Sequence, residues 1–144
     1  MFNKIVCILF TLLISISTNG YAATSSDELQ HAMSEMTSLW NKGELKSFVG
    51  YYKNSDETTC VSASVYKGYK DISQRYLTAY PTAENMGTLT TSHLDIHALS
   101  PTIATVVGEW SLAIKSSSAP QHGMFTLVWE KTKDGWKIVL DHTS

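Results

Sequence analysis

The residues that first suggest chemistry are Asp141 and His142, an acid beside a histidine and so half of a general acid/base pair. On a strand, adjacent residues point to opposite faces, so the two cannot enter one pocket. Trp136, Ile138, Leu140 and His142 form the more apolar face of their segment, which predicts that His142 points inward. There it would serve as a pocket acid or base, its ionisation moved by an apolar wall, or as a hydrogen-bonded structural latch.

Glu109 lies opposite Trp110 on a segment whose odd positions, Ile103, Val107 and Ala113, are also apolar. If the odd face lines a cavity, Glu109 is a buried carboxylate able to abstract a proton; otherwise it is a solvent or interface charge. His93, Asp95 and His97 repeat at spacing two, a pattern with three metal-ligand atoms on one strand face. Successive same-face residues stand about 7 Å apart, too far for one ion to take all three from a straight strand. An exposed polar face opposite Leu94 and Ile96 is therefore expected, and no metal. Cys60, among the strand-like residues Thr58, Thr59 and Val61, reads first as a buried thiol acting as a small hydrophobe, and otherwise as an intermolecular bridge or a nucleophile.

The elements that must position these residues follow from periodicity. Leu29, Ala32, Met33, Met36, Leu39 and Trp40 fall at the spacing of one helical face, with Ser25 and Glu28 as a capping box and Gly43 as a stop. A shorter helix takes in Leu45, Phe48, Val49 and Tyr52. Thr58 to Tyr66 reads as one extended strand turning at Lys67-Gly68, and a third helix runs from about Lys70 to Tyr80, closed by Pro81. Strands are expected over Leu89 to Leu99, Thr102 to Ile114, Gly123 to Glu130 and Trp136 to His142, the last pair joined at Asp134-Gly135. Three helices ahead of long antiparallel strands make an α+β layout, a curved sheet covering its inner face with helices. Trp40, Tyr52, Tyr76, Trp110, Phe125 and Trp129 are candidates to line the conical space between them and hold a flat apolar ligand.

The chain has 144 residues, a one-domain length, with the 43% hydrophobic and 17% charged content of a globular protein. Lys4, the apolar run Ile5 to Ile16 and a small, polar stretch ending at Ala22-Ala23 have the layout of a secretory leader cut after Ala22. The run is shorter than the roughly 20 residues needed to span a bilayer. A periplasmic or secreted protein of residues 23–144 is expected. Cleavage removes Cys7 and leaves Cys60 without an intramolecular partner. The formal charge of −2, with no Lys/Arg cluster, argues against nucleic acid and anionic membrane partners. There is no nucleophile-elbow context and no Gly-rich phosphate loop, and no cofactor is implied.

Taken together, Trp40-Asn41-Lys42-Gly43-Glu44-Leu45, Met86-Gly87-Thr88-Leu89, Val107-Gly108-Glu109-Trp110, Phe125-Thr126-Leu127-Val128 and Gly135-Trp136 through Ser144 resemble a SnoaL-like, DUF4440-type member of the NTF2-like superfamily, over about Asp27 to Ser144. The resemblance implies a cone-like α+β barrel with a pocket between sheet and helices, commonly a homodimer. It implies no single activity, since the superfamily holds isomerases, dehydratases, cyclases and hydrolases beside binding and assembly domains. Relatives of this type often carry Arg where this chain has Glu109, an acid in place of a base that would change the preferred ligand charge. Three functions stay open: binding of a small, largely apolar ligand; isomerase or lyase chemistry using His142 or Glu109 with a tyrosine such as Tyr52; and a dimeric assembly module.

Overall fold

The computed structural model describes residues 18–144, with side chains from residue 24 onward; most of the expected leader lies outside the described residues. Helix α1 (Thr18–Asn41) starts upstream of the expected cut after Ala22. Its buried face is Leu29, Ala32, Met33, Met36 and Trp40, the stripe that the spacing predicts. The capping box does not form. Ser25 is buried inside the helix, and Glu28 turns instead to the sheet, where its carboxylate accepts from Lys131 Nζ at 2.7 Å and Trp136 Nε1 at 2.6 Å. Gly43 ends the helix as expected, at φ 76°, and a Cβ there would stand 2.6 Å from that of Ala83.

After α2 (Leu45–Val49), the stretch expected as one strand is a small hairpin, β1 (Thr59–Val61) and β2 (Val65–Lys67). Ser62 N–H donates to the Ser64 carbonyl at 2.9 Å and folds the segment back on itself. Then come α3 (Tyr69–Ala79), the short α4 (Ala83–Met86) and the strands β3 (Thr88–Ala98), β4 (Ile103–Ala113), β5 (Gln121–Thr132) and β6 (Gly135–Thr143). The order in the six-stranded sheet is β2-β1-β6-β5-β4-β3. Every neighbouring pair is antiparallel except β1 with β6, which run parallel. The sheet is curved and does not close, giving an α+β cone.

Helix α1 crosses the inner face and is tied to β3 through Asn41. Its amide accepts from Leu89 N–H at 2.7 Å and donates to Leu89 O at 2.9 Å, standing in for a strand neighbour. The core between helices and sheet contains Leu29, Ile72, Val106, Trp129 and Ile138, all fully or almost fully buried.

Two bulges reset which side chains face inward. On β3, Ser92 pairs with Glu109 and Asp95 with Val107, so His93 and Leu94 both stand against Gly108. His93 takes φ 52° there, and a Cβ on Gly108 would lie 2.7 Å from Leu94 and 2.6 Å from Phe125. On β6, Trp129 pairs with Ile138 and Val128 with Leu140, leaving Val139 as the extra residue. Before Val139 the even positions point inward; beyond it the odd ones do.

Candidate functional site

The β6 bulge decides the site. It turns Asp141 inward, only 4% exposed, and His142 and Leu140 outward. The expectation of an inward His142 is thus corrected: counting by twos from Trp136 is sound as far as Ile138 and fails at the inserted Val139. His142 reaches the cavity only at its exposed rim.

Three other parts of the chain, and β6 itself, bring partners to Asp141. Cys60 on β1 is its neighbour across the parallel pairing. Tyr52 follows α2 in a stretch clamped to β6, with Lys53 N–H donating to Ile138 O and Ile138 N–H to Tyr51 O, each at 2.8 Å, which sends the Tyr52 ring inward. Tyr76 comes from the buried face of α3 beside Ile72. Thr143, two residues on from Asp141, shares its face.

Tyr52 Oη donates to Asp141 Oδ2 at 2.6 Å, and Cys60 Sγ lies 3.8 Å from the same oxygen. Thr143 Oγ1 donates to Oδ1 at 2.6 Å. Three donors thus occupy most of the roughly four lone-pair positions of the carboxylate. Because Tyr52 has one proton and gives it to Asp141, the 2.8 Å contact between Tyr52 and Tyr76 must be donated by Tyr76. The chain of protons runs from Tyr76 to Tyr52 to Asp141, and the phenol oxygens offer the cavity lone pairs rather than protons. Burial, followed by the neighbouring Tyr76 and Asp141, pushes the Tyr52 phenol well above its ordinary ionisation, and burial with Asp141 and Cys60 does the same to Tyr76. Burial and Asp141 push the Cys60 thiol up to about 12, so it stays protonated and a poor nucleophile.

This polar wall belongs to a cavity of about 520 Å³, whose other walls include Met33, Met36, Trp40, Phe48, Trp110 and Phe125. Of the six aromatic residues expected to line it, Trp40, Tyr52, Tyr76, Trp110 and Phe125 do. Trp40 packs edge-on to Phe48 at 5.0 Å and Tyr80 at 4.7 Å, while its Nε1 donates to Met86 O. Trp110 is half-buried and donates to Ser144 O at 3.2 Å. Trp129 lies in the packed core away from the cavity lining, with Tyr51 at 6.1 Å and no hydrogen-bond partner for its Nε1 among the described residues.

Glu109 is on the outer face. The even positions of β4, Ala104, Val106, Gly108 and Leu112, take the inside, and Glu109 pairs with His93 at 3.0 Å across open surface. His93, Asp95 and His97 are all exposed. The acid at position 109 therefore does not set the charge of the cavity.

Solved structures of this shape include NTF2-like proteins. An NTF-2-like protein of unknown function from Shewanella oneidensis MR-1 superposes with a TM-score of 0.77 at 29% identity, covering 83% of this chain and 98% of that one. The chain belongs to the NTF2-like superfamily. An NTF2-like protein from Pseudomonas putida KT2440 (TM-score 0.70, 12% identity, 85% and 87% covered) shares the fold. So does a scytalone dehydratase-like protein from Novosphingobium aromaticivorans (0.66, 10%, 85% and 85%). No protein-family model matches the sequence, and comparison with characterised proteins gives no match.

This NTF2-like cavity draws on residues that carry little signal in the sequence. Strand parity counted from Trp136 points Asp141 outward, and Cys60 by itself looks like packing. Arg75, a half-buried cavity residue, gave no signal in a chain without basic clusters. The one available cue was Cys60 itself: in an inner strand, a thiol beside an inward polar residue on the neighbouring strand marks a mixed wall.

Proposed function

We propose that the protein binds a small, largely apolar, flat ligand in its conical cavity. The observation that carries this is the cavity itself. Its volume, about 520 Å³, is far beyond the water-sized voids that packed interiors tolerate and within the range of about 300–1,000 Å³ usual for small-molecule sites. Aromatic and methionine walls supply apolar contact, and the Tyr76 and Tyr52 oxygens supply acceptors for a ligand hydroxyl or N–H. We further place the chain with the SnoaL-like, DUF4440-type domains, on the motifs from Trp40 to Leu45 and from Gly135 to Ser144. The leader-like residues 1–22 support export to the periplasm or beyond, and the exposed Met124 and Leu140 on the outer sheet face suit a homodimer.

The test is titration of the protein with the uncharged fluorophore N-phenyl-1-naphthylamine. One saturable, blue-shifted site per chain is expected; a spectrum that never leaves that of the free dye overturns the reading.

A second reading, isomerase or lyase chemistry, is favoured by one observation: a buried carboxylate, Asp141, lines the cavity. In that reading Asp141 takes the role sequence reasoning gave to His142 or Glu109. It needs a phenol proton to stabilise an enolate, and those of Tyr52 and Tyr76 are committed toward Asp141. Proton exchange on a cyclic enone that vanishes in Asp141→Asn would establish catalysis; its absence would leave binding alone.

A further inference from the structure

Among the described residues Arg75 is a cation without a counter-charge. It lines the cavity from α3, half-buried, with its guanidinium carbon 4.9 Å from the Tyr76 ring centroid and 5.2 Å from that of Tyr66. One nitrogen donates to Ser62 Oγ at 3.3 Å, longer than an ordinary N–H···O bond. Two other partly buried cations near the sheet are neutralised, Lys53 by Glu130 at 2.8 Å and Lys131 by Glu28 at 2.7 Å, while Lys137 donates to the Gly50 carbonyl at 2.8 Å. Among the described residues no carboxylate pairs with Arg75. Asp141, the acid on the same cavity, has its oxygens taken by Tyr52, Thr143 and Cys60.

A half-buried guanidinium has lost part of its hydration and repays that loss best with an anion. The two tyrosine rings fix its plane, so little side-chain entropy is left to lose on binding. Its five donors in a rigid fork match a planar carboxylate.

We infer that the ligand of this cavity is an anion, a flat apolar body bearing a carboxylate that pairs with Arg75. The inference rests on the binding reading and narrows it. It also reverses the ligand charge that an acid at position 109 suggested, because Glu109 faces solvent and Arg75 faces the cavity.

The experiment compares 2-naphthoate with its uncharged isostere 2-naphthamide by isothermal titration on the full protein, in wild type and in Arg75→Gln. Wild type is expected to prefer the carboxylate by about tenfold or more, the scale of one charge-assisted hydrogen bond. In Arg75→Gln the preference falls to within about twofold, the carboxylate losing more affinity than the amide. Equal affinity of wild type for both compounds, or a preference that survives in Arg75→Gln, overturns the anion assignment while cavity binding stands. Failure of both compounds and of N-phenyl-1-naphthylamine to bind wild type overturns the binding reading and this inference together. The wild-type comparison decides whether the ligand is an anion. If Arg75→Gln folds poorly, Arg75→Lys, which keeps the charge but loses the two-pronged fork, should bind the carboxylate more weakly than wild type; equal binding overturns the pairing with Arg75.

Discussion

Asp141 and Glu109 are both carboxylates on long strands of one sheet, each beside a bulge, yet their surroundings are opposite. The bulge at Val139 carries Asp141 into the cavity wall, where a phenol, a threonine hydroxyl and a thiol surround it. The bulge at His93 stands against the β4 segment that leaves Glu109 in water, paired with a histidine whose own side chain is 78% exposed. One inserted residue thus determines whether an acid is part of a site or part of a surface, and residue type alone says little about which.

Reversing the alternation beyond the bulge is the severest way to break this contrast. Insertion of one alanine between Leu140 and Asp141 turns His142 inward and Asp141 outward and strips Tyr52 and Cys60 of their acceptor. The loss should exceed about 4 kcal/mol, beyond the range of ordinary substitutions. Urea unfolding measures it, and a midpoint close to that of wild type would refute the role given to the parity of β6. Asp141→Ala comes next. It leaves the bulge in place but strands buried donors, at a cost of about 2–4 kcal/mol by the same measurement.

These effects locate the limit of what the sequence told. The face of α1 was legible because Leu29, Met33, Met36 and Trp40 recur with a period that only a helix satisfies, and the strands after Gly87 were legible because their turns carry Pro101, Pro120 and Gly135. A bulge leaves no comparable mark. Val139 is an ordinary strand residue, and the parity reversal it causes is fixed by pairing with β5 and by the distant β1. Apolarity pointed the wrong way as well, since Leu140 looks like core and Asp141 does not, although Leu140 is 36% exposed and Asp141 4%. Arg75 was illegible for a related reason: what distinguishes it is a missing partner, and partners belong to tertiary structure.

The proton chain gives a smaller effect with a defined pH window. Tyr52 and Tyr76 ionise far above an ordinary tyrosine, chiefly because they are buried. A raised folded-state value means that the native protein keeps a proton the unfolded chain gives up. The resulting stability is complete below about pH 10 and falls as pH rises above it, by about 1.4 kcal/mol per pH unit for each phenol. Tyr52→Phe should cost about 1–2 kcal/mol at pH 7 by removing the link between Tyr76 and Asp141. It should also flatten the alkaline decline by one proton's share. An unchanged slope between pH 10 and 11 would mean that Tyr52 ionises freely and is not in the buried chain.

The smallest effect belongs to the outer pair, and it separates the ion pair from the backbone beneath it. Glu109→Gln removes the charge 3.0 Å from His93 Nδ1 and keeps the bulge; since both side chains are largely solvated, the change should stay within about 0.5 kcal/mol. His93→Gly removes the same pair but also relieves a side chain held at φ 52°, where glycine is at ease. The gain from that relief offsets the entropy glycine adds to the unfolded chain, so His93→Gly should be no less stable than Glu109→Gln, and with added salt the two should converge on wild type. If His93→Gly instead loses more than about 1 kcal/mol, the His93 ring is holding the bulge in place, and the outer face contributes to the cavity geometry through Leu94 and Gly108.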